Sequence, residues 1–409
     1  MPGSRGRPQD GFELAFAYLR YVKVRRPGVM MKGTKAVAGM NIKRLVFGVC
    51  VAFVLCAFVG VSVASARTIY VPDDYAKIRW AVDNATAGDT IIVRSGTYIE
   101  NVVVSKSLEI RSYSQNPSDT VVKAYNSNDH VFYVTADNVT IKGFTVTGAT
   151  GFQKAGVYLL NSKNSRIENV NASNNNYGIY LYDSSNNIIT YNNASNNDYG
   201  IYLQVSSNNT ITYNNASNNY HGIRLYESSN NTITYNNASN NYDDGIYLYD
   251  SSNNTIAYNN ASNNNDEGIY LYESSNNIIT NNNASNNYYG IYLCDSSNNT
   301  LANNSMTDNT YNFILIGWQD SHFDNNIDTT NTVDGKPIYY IKNASNKVYD
   351  GSTNAGVFYC IWCNNVTVKN LNLTKNGYGV FFWKTNNSRI ENINASNNYY
   401  GIYLDESSN

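Results

Sequence analysis

The sequence predicts an all-β fold, a right-handed single-stranded parallel β-helix built from coils of about 22 residues. The first observation is a repeat, G-I-Y-L-Y-D-S-S-N-N-I-I-T-Y-N-N-A-S-N-N, that restarts at a glycine. The restarts are Gly178, Gly200, Gly222, Gly245, Gly268 and Gly290, so successive copies are 22 or 23 residues apart. A fixed period of this length is typical of a solenoid, in which each copy forms one coil.

The second observation is a pair of short apolar segments in each copy. After the first glycine, Ile179 and Leu181 alternate with Tyr180 and Tyr182, so the aliphatic residues share one face of a strand and the tyrosines the other. Eleven residues after each glycine comes a second apolar position: Ile189, Ile211, Ile233, Ile256, Ile279 and Leu301. Neither segment is long enough for an amphipathic helix.

The third observation is the turn residues, Ser-Ser-Asn-Asn and Asn-Asn-Ala-Ser, that separate the apolar segments. A leucine-rich solenoid would need L-x-x-L-x-L spacing, and a propeller blade would need roughly twice this period. In a β-helix, identical residues lie above one another at about 4.8 Å. The aliphatic columns then fill the interior, and the asparagines are suited to amide ladders at the corners.

The chain begins with segments that are predicted to lie outside the β-helix. Residues 1–39 are basic and unpatterned, and we expect them to be a non-native upstream extension before Met40. Residues 40–66 have the form of a signal peptide, with Lys43 and Arg44 before an apolar stretch and Ala64–Ala66 as an A-x-A cleavage site. The alternative is a retained membrane anchor. Either way the sequence predicts an exported, extracellular or cell-surface protein.

The rest of the chain is predicted to form one solenoid of uneven regularity. A short helix, Tyr75–Asn84, places Ile78, Ala81, Val82 and Ala85 on one face, as expected of a cap over the first coil. The predicted segments are an N-terminal cap with irregular coils (67–155), regular repeats (156–310), an interruption or linker (311–365) and resumed repeats (366–409) that end within a repeat.

The composition argues against nucleic-acid binding and against a fold stabilised by a disulfide framework. A net charge of −2 and 15% charged residues are too little for a nucleic-acid-binding face. After the signal segment only Cys294, Cys360 and Cys363 remain, which is not a disulfide framework. The partners we expect are therefore polysaccharides or cell-envelope components, with no nucleic acid, and with a membrane only through an uncleaved N-terminal segment.

Three segments carry a resemblance to a known family. The repeat G-I-Y-L-x-x-S-S-N-N-T-I-T-x-N-N, the lead-in from Arg67 to Tyr98 and the segment from Asn331 to Ile341 resemble the NosD-like parallel β-helix family, of archaeal cell-surface type. That family belongs to the carbohydrate-binding proteins and sugar hydrolases with a pectin-lyase-like fold. The resemblance extends from Arg67 to the end of the chain. It implies the fold but no single activity, because these repeats occur in proteins of different function.

Tyrosines in register form the first candidate site. Outward positions two residues after each glycine hold Tyr180, Tyr202, Tyr247, Tyr270 and Tyr292, with Arg224 between the second and third. Rings stacked in this way would form a flat aromatic strip for sugar-ring stacking. The alternative is that tyrosine is a favourable outward strand residue that stacks on its own kind.

Acidic residues form the second candidate site. Asp243, Asp244, Asp266 and Glu267 occur in the two repeats with an extra residue, and we expect them to bulge outward on adjacent coils. Such carboxylates would bind Ca²⁺ or act as acid and base in glycoside cleavage. The resemblance implies calcium-binding aspartates with a basic residue nearby, and Arg224 is the close cation. The alternative is that they are solvated turn acids that keep a β surface soluble.

The family resemblance also implies copper delivery, which requires soft or imidazole ligands. The exported chain offers His130, His221 and His322 at isolated positions, together with Met306 and Cys294. Cys360 and Cys363 form a metal-like pair, but their spacing also follows strand alternation into a turn. The sequence therefore predicts no copper and no required cofactor, with calcium left open.

N-A-S sequons recur once per coil. Either they are glycosylated or the coil geometry itself demands Asn-Ala-Ser at this corner. The candidates are Asn171, Asn193, Asn215, Asn237, Asn260 and Asn283.

The first functional hypothesis is a non-enzymatic surface protein, structural or adhesive, that binds polysaccharide. The alternatives are a polysaccharide lyase, hydrolase or epimerase with its acids near Asp243 to Glu267, and an accessory protein for an exported copper enzyme.

Overall fold

Stacked parallel strands form the walls of the protein, which a computed structural model describes for residues 65–408. The chain forms about 15 coils of a right-handed parallel β-helix with very little helix, so the predicted fold class is confirmed. Residues 1–64, which contain the predicted extension and nearly all of the predicted signal segment, lie outside the described residues. Within the described part of the chain, no helix is long and apolar enough to span a membrane.

The first wall is a twelve-stranded sheet that carries the second apolar position of each repeat at its centre. Corresponding residues pair directly, as Ile189 does with Ile211, so the register between coils follows the repeat. The strands are Thr68–Val71, Thr90–Val93, Glu109–Ser112, Thr140–Lys142, Arg166–Glu168, Ile188–Thr190, Thr210–Thr212, Thr232–Thr234, Thr255–Ala257, Ile278–Thr280, Thr300–Ala302 and Asn326–Ile327.

The second wall is a ten-stranded sheet formed by the segments around the repeat glycines. We call it the tyrosine sheet, because its strands carry the tyrosines of the repeat. Its strands are Val102–Val104, Phe132–Val134, Ala155–Leu160, Tyr177–Tyr182, Tyr199–Gln204, His221–Tyr226, Ile246–Tyr249, Glu267–Tyr272, Tyr289–Cys294 and Tyr311–Ile316.

A third wall closes each coil. It begins with three paired strands, Gly96–Ile99, Thr120–Lys123 and Thr145–Thr147. It continues through the regular coils as a line of single parallel bridges at the Asn-Ala-Ser corner, from Asn171 to Asn283 and on to Ser305. Three walls per coil therefore enclose one interior.

The interior of the regular coils is aliphatic and fully buried. The isoleucine and leucine after each glycine, the second apolar position and the alanine of Asn-Ala-Ser all point into it and have 0% exposure. These columns consist of Ile179, Ile201, Ile223, Ile246, Ile269 and Ile291; Leu181, Leu203, Leu225, Leu248, Leu271 and Leu293; Ile189, Ile211, Ile233, Ile256, Ile279 and Leu301; and Ala194, Ala216, Ala238, Ala261 and Ala284. The predicted alternation is confirmed.

The repeat glycine is required because the coils approach closely there. A Cβ atom on Gly200 would lie 2.6 Å from the carbonyl oxygen of Gly222 and 2.7 Å from Nδ2 of Asn219. Any side chain at this position would therefore push apart the two coils that the sheet hydrogen bonds join.

Buried asparagines hold the corners together. Three columns of asparagine run along the solenoid, and each member accepts a backbone N–H from the preceding coil on its Oδ1. Most members also donate Nδ2 to a backbone carbonyl of an earlier coil. In the regular coils the columns are Asn187, Asn209, Asn231, Asn254, Asn277 and Asn299; Asn192, Asn214, Asn236, Asn259, Asn282 and Asn304; and Asn175, Asn197, Asn219, Asn241, Asn264, Asn287 and Asn309. The predicted amide ladders are therefore present.

The N-terminal end is covered by α1, Ile78–Asn84. It is shorter than the predicted helix, but Ile78, Ala81, Val82 and Ala85 are all buried as expected. Glu100 accepts hydrogen bonds from the first two N–H groups of the helix, and Lys106 donates to carbonyls at its other end. Side chains of later coils therefore satisfy both helix termini.

After the regular coils the chain makes a second, shorter stack. Ser305–Met306 and Thr332–Val333 pair in parallel, the chain reverses at Gly335, and Lys336–Lys342 returns antiparallel. Three further strands then follow it in parallel, and a three-stranded sheet forms the other wall. The strands are Val357–Ile361, Tyr378–Trp383 and Tyr400–Asp405, and then Ser345–Tyr349, Asn364–Asn372 and Arg389–Asn394. Within residues 65–408 there are three short 3₁₀ turns: Pro117–Asp119 precedes the regular coils, and Asp320–Phe323 and Gly351–Thr353 follow them.

Aromatic rings join the second stack to the end of the first. The ring of Tyr359 lies 5.6 Å from that of Phe313, and the ring of Phe381 lies 5.3 Å from that of Phe323. Tyr340 donates its hydroxyl to the Phe323 carbonyl at 2.5 Å. Tyr340 and Tyr359, which cover the end of the first stack, lie in the predicted interruption at 311–365, and Phe381 lies in the resumed repeats.

We predict that the buried asparagine columns tolerate no charge. Nδ2 of Asn214 donates to Asn236 Oδ1 at 3.0 Å and to the Ile189 carbonyl at 2.8 Å. Asn214→Asp would remove both donors and bury an unpaired carboxylate, so the free energy of unfolding should fall by about 3–5 kcal/mol. Asn196→Asp, at an exposed corner of the preceding coil, should cost less than about 1 kcal/mol. Guanidinium unfolding followed by far-UV circular dichroism measures both, and equal losses would contradict the ladder.

We also predict an acid-sensitive contact at His130. This side chain is 7% exposed, and its Nδ1 accepts a hydrogen bond from the Ala155 N–H at 3.0 Å. Burial, aided by the charge of Lys154, lowers the pKa of His130 from 6.5 to about 4. The folded state therefore resists protonation more than the unfolded state does. The stability that this group contributes is present above pH 6.5 and is lost as the pH falls toward 4.

His130→Asn keeps an acceptor that does not titrate. Between pH 7 and pH 4, the free energy of unfolding of the wild type should fall by up to about 3 kcal/mol more than that of His130→Asn. Denaturant unfolding at several pH values measures the difference, in which the other titrating groups largely cancel. Parallel pH profiles for the two proteins would exclude this role.

Candidate functional site

The predicted tyrosine strip is present on the outer face of the tyrosine sheet. Strand register places Tyr180, Tyr202, Arg224, Tyr247, Tyr270 and Tyr292 in one line, which we call the tyrosine column. Neighbouring rings are nearly parallel, with centroids 5.1 Å apart for Tyr180 and Tyr202 and 4.9 Å apart for Tyr247 and Tyr270.

This stacking determines which parts of the tyrosine rings a sugar could contact. Parallel rings at this spacing cover one another's faces, and Tyr180 is only 6% exposed. The column therefore presents ring edges and hydroxyl groups rather than open aromatic faces. The predicted sugar-ring stacking on a flat strip does not fit this geometry, although edge contact with a glycan does.

A second line of residues, directly before the glycines, lies beside the tyrosine column. We call it the pre-glycine column. Its rings contact those of the first line, as Tyr177 contacts Tyr180 at 5.1 Å and Tyr199 contacts Tyr202 at 5.3 Å. On three successive coils the tyrosines of the pre-glycine column are replaced by charged or titratable residues. In order the column contains Tyr177, Tyr199, His221, Asp244, Glu267, Tyr289 and Tyr311.

The replacements meet in space, and with Arg224 and Asp243 they form what we call the central cluster. Nδ1 of His221 lies 3.2 Å from Oδ2 of Asp244 and 3.6 Å from Oδ2 of Asp243. Asp244 is 4% exposed and Glu267 is 8% exposed. The expectation that these acids bulge into solvent is therefore wrong for Asp244 and Glu267, because the extra residue keeps them in the covered pre-glycine column.

Burial and mutual repulsion perturb the carboxyl groups. Burial, followed by the charge of Asp244, raises the pKa of Asp243 to about 6. Burial, the charge of Asp244 and a hydrogen bond with that side chain raise the pKa of Glu267 to about 11. At neutral pH Glu267 is therefore protonated. Asp266 lies next in sequence to Glu267 and contributes further repulsion to both groups.

Arg224 replaces a ring of the tyrosine column. Its guanidinium carbon lies 4.9 Å from the ring centroid of Tyr247, and its Nη1 donates to the Tyr199 hydroxyl at 3.3 Å. Its Nε is buried and makes no hydrogen bond within residues 65–408. A cation is thus fixed among tyrosines beside the buried acids.

The prediction that His221 is isolated is wrong, because its imidazole lies beside Asp243 and Asp244. The sequence does contain a pattern that points to His221, because this residue occupies the position before a repeat glycine that holds tyrosine in other coils. Comparing that column across coils would have grouped it with Asp244 and Glu267. The burial of these residues could not have been obtained in this way.

A third line of tyrosines was also missed. Tyr191, Tyr213, Tyr235 and Tyr258 stack at a corner with positive φ, with centroids 4.9–5.1 Å apart. Their side chains are about half exposed. The same corner position holds asparagine in the flanking coils, at Asn169 and Asn281, so the replacements in the tyrosine sheet are distinguished by their charge.

The sequon asparagines form a fourth, outer amide ladder. From Asn193 to Asn283, each Nδ2 donates to the Oδ1 of the preceding member at 2.8–3.0 Å. Asn171, at the start of the line, only accepts. The ladder supports the view that coil geometry favours Asn-Ala-Ser here, and glycosylation remains a prediction.

The ligands that copper would need are dispersed. His130 lies among tyrosines, and His322 lies 3.0 Å from Asp295. Met306 is fully buried. Cys360 and Cys363 form a disulfide, which sequence analysis did not predict. The described residues therefore bring no set of soft ligands together and do not fit a Cu(I) carrier. One mixed group, His221 with Asp243 and Asp244, has ligand atoms within 4.8 Å of one another.

Comparisons with known proteins agree with this architecture. A family profile described as periplasmic copper-binding protein (NosD) matches residues 82–243 and 323–409, and one described as right handed beta helix region matches residues 195–328. A cell surface glycoprotein of Methanothermus fervidus is 31% identical over 113 residues. That match covers 27% of this chain and only 18% of the relative.

Solved structures are similar in fold at low identity. The Dettilon tailspike protein matches with a TM-score of 0.54 and 17% identity, over 82% of this chain and 68% of its own. The A-module of the mannuronan C-5 epimerase AlgE4 of Azotobacter vinelandii matches with a TM-score of 0.48 and 16% identity, over 84% of this chain and 96% of its own. At these identities the likeness concerns the fold alone.

The environment of Cys294 predicts an unreactive thiol. The side chain is 9% exposed, and burial, aided by Asp295, raises its pKa to about 11. We expect iodoacetamide at pH 8 to leave Cys294 unlabelled in the native protein and to label it in denaturant. Peptide mapping distinguishes it from Cys360 and Cys363, which should be labelled only after reduction. Rapid labelling of native Cys294 would contradict its burial.

Proposed function

The chain belongs to the family described as periplasmic copper-binding protein (NosD). We propose that this member of the family is an exported cell-surface β-helix protein that binds polysaccharide on its tyrosine sheet. The described relative is a cell surface glycoprotein, which supports the location. The β-helix neighbours include a protein that acts on a polysaccharide, but the support for binding comes from the tyrosine sheet itself.

The observation that carries the proposal is the central cluster. In a solenoid of near-identical coils, packing alone gives the same residue at each level of a column. Two adjacent columns depart from tyrosine on consecutive coils, and the replacements meet on one face. A set of polar groups gathered in this way costs stability through desolvation, which favours a binding role.

The chemistry of the face suits a glycan. A guanidinium and the partly exposed carboxyl group of Asp243 make hydrogen bonds with hydroxyl groups, and phenol hydroxyls both donate and accept. Tyrosines on both sides of Arg224, such as Tyr202 and Tyr247, extend the same edge along the solenoid. Since coils repeat at about 4.8 Å, an extended polymer would meet similar groups at successive levels.

A second candidate function is cleavage or epimerisation of the bound glycan. The observation in its favour is that Asp244 contacts both an imidazole and a second carboxyl group, with Arg224 on the neighbouring column. Paired carboxyl groups with a nearby base are the usual requirement for chemistry at a sugar ring. Binding is the primary proposal because it requires only the face itself.

The test compares two arginine substitutions by affinity electrophoresis in gels that contain acidic or neutral polysaccharides. Arg224→Gln removes the cation of the central cluster, whereas Arg389→Gln removes an exposed cation of the second stack. We expect at least one polysaccharide to retard the wild type and Arg389→Gln equally. Arg224→Gln should bind at least about tenfold more weakly, as expected for a lost charge-assisted hydrogen bond. No retardation by any polysaccharide, or equal retardation of all three proteins, would reject the proposal.

The same mixtures decide between binding and catalysis. New reducing ends, or unsaturated products at 235 nm, are counted for the wild type, Asp244→Asn and the exposed turn variant Asp183→Asn. Release by the wild type and Asp183→Asn but not by Asp244→Asn would establish the second candidate. Epimerisation releases no product, so the ¹H NMR spectrum of the recovered polysaccharide is compared as well. Binding with neither release nor a change in this spectrum would leave the binding protein as the function.

A further inference from the structure

His221, Asp243 and Asp244 place three ligand atoms around one point of the central cluster. Nδ1 of His221 lies 3.2 Å from Oδ2 of Asp244 and 3.6 Å from Oδ2 of Asp243, and all three ligand atoms are within 4.8 Å of one another. Metal–nitrogen and metal–oxygen bonds of about 2.0–2.2 Å place neighbouring ligand atoms of a tetrahedral site about 3.3 Å apart. The two observed nitrogen–oxygen separations match that spacing.

The imidazole of His221 gives an independent reason to expect a ligand. Its side chain is 8% exposed, and Nδ1 makes no hydrogen bond with any described residue although two carboxylates lie nearby. A buried ring nitrogen without a partner costs about 1–3 kcal/mol. An ion coordinated by Nδ1 and both carboxylates would satisfy all three groups at once.

The ring is held in the orientation that coordination needs. It stacks on Tyr199 with centroids 4.9 Å apart and meets the edge of Tyr220 at 4.8 Å. These contacts direct Nδ1 toward the carboxylates of the next coil, where the extra residue of the repeat provides two adjacent aspartates. The site therefore lies where the regular coils depart from both the 22-residue period and the tyrosine columns.

The surrounding charge also favours a cation. The carboxylates of Asp243 and Asp244 lie beside the same imidazole, and Asp266 and Glu267 follow on the next coil. Arg224 is directed into the tyrosine column, where it contacts Tyr247. The carboxylates are thus gathered in a partly dehydrated place where a divalent ion would offset their repulsion.

We propose that His221, Asp243 and Asp244 bind one divalent transition-metal ion with the preferences of Zn²⁺. Imidazole nitrogen and carboxylate oxygen are both ligands of Zn²⁺, and three protein ligands leave a fourth position open to water or ligand. Ca²⁺ takes six to eight oxygen ligands, so a buried imidazole does not suit it. This revises the calcium expectation for Asp243 and Asp244, and it leaves Asp266 and Glu267 outside the ligand set. The inference does not depend on glycan binding.

The test measures metal rather than activity. The purified protein is stripped with EDTA, dialysed and titrated with ZnCl₂ by calorimetry, and the metal retained after gel filtration is counted by mass spectrometry. We expect one Zn²⁺ per chain, a rise in melting temperature with Zn²⁺, and no comparable effect of CaCl₂. Cu²⁺ is not used as the probe, because it binds most nitrogen–oxygen sites more tightly than other divalent ions do.

Matched variants locate the ion. Asp243→Asn and His221→Ala should each weaken Zn²⁺ binding at least about tenfold, whereas His322→Ala, which alters a histidine beside Asp295, should bind as the wild type does. Co²⁺ added to the wild type should give visible d–d absorption typical of low coordination number, which tests the site even where a variant folds poorly. Substoichiometric Zn²⁺, equal binding of Ca²⁺, or full Zn²⁺ binding by both site variants would overturn the proposal.

Discussion

The hydrogen bond between a buried asparagine and the coil beside it is the interaction on which the rest of the structure depends. Strands satisfy their own backbone groups, but corners do not, and here the corners are covered by neighbouring coils. Asn214 shows the arrangement, since its Oδ1 accepts the Asn192 N–H and its Nδ2 donates to the Ile189 carbonyl. Each corner therefore requires an asparagine one period away, and this requirement produces the near-identical repeats.

The ladders also explain where the repeats are free to vary. The two longer coils carry their extra residue between a ladder asparagine and the next glycine. Asn241 and Asn264 still form their ladder bonds with the following coils. Asp243 and Asp244 thus enter at a point where the register of the corners is already fixed. Variation at this point changes the chemistry of the tyrosine sheet and keeps the Oδ1 bonds of the ladder, while Nδ2 of Asn241 and of Asn264 donates to the next ladder asparagine instead of a backbone carbonyl.

The fold could be predicted from the sequence because the residues that determine it recur at a fixed period. The spacing of glycines, aliphatic pairs and asparagines determines which residues pair, and pairing determines the walls. The candidate site was only partly predictable. Tyr202 and Tyr247 were placed in the correct column, but the mutual covering of their rings depends on side-chain orientation, which the pattern does not contain. The burial of Asp244, and the contacts of Phe313 with the second stack, arise between elements whose spacing is irregular.

The near-identity of the coils has a consequence for how such a gene changes. A recombination event that removes or duplicates a whole repeat leaves every ladder asparagine one period from its partner, so the encoded wall becomes shorter or longer by a step of about 4.8 Å and still folds. The coils that carry His221, Asp244 and Glu267 differ from the rest, so such events elsewhere in the array preserve a single copy of them. The number of coils and the residues of the central cluster can therefore change independently of each other.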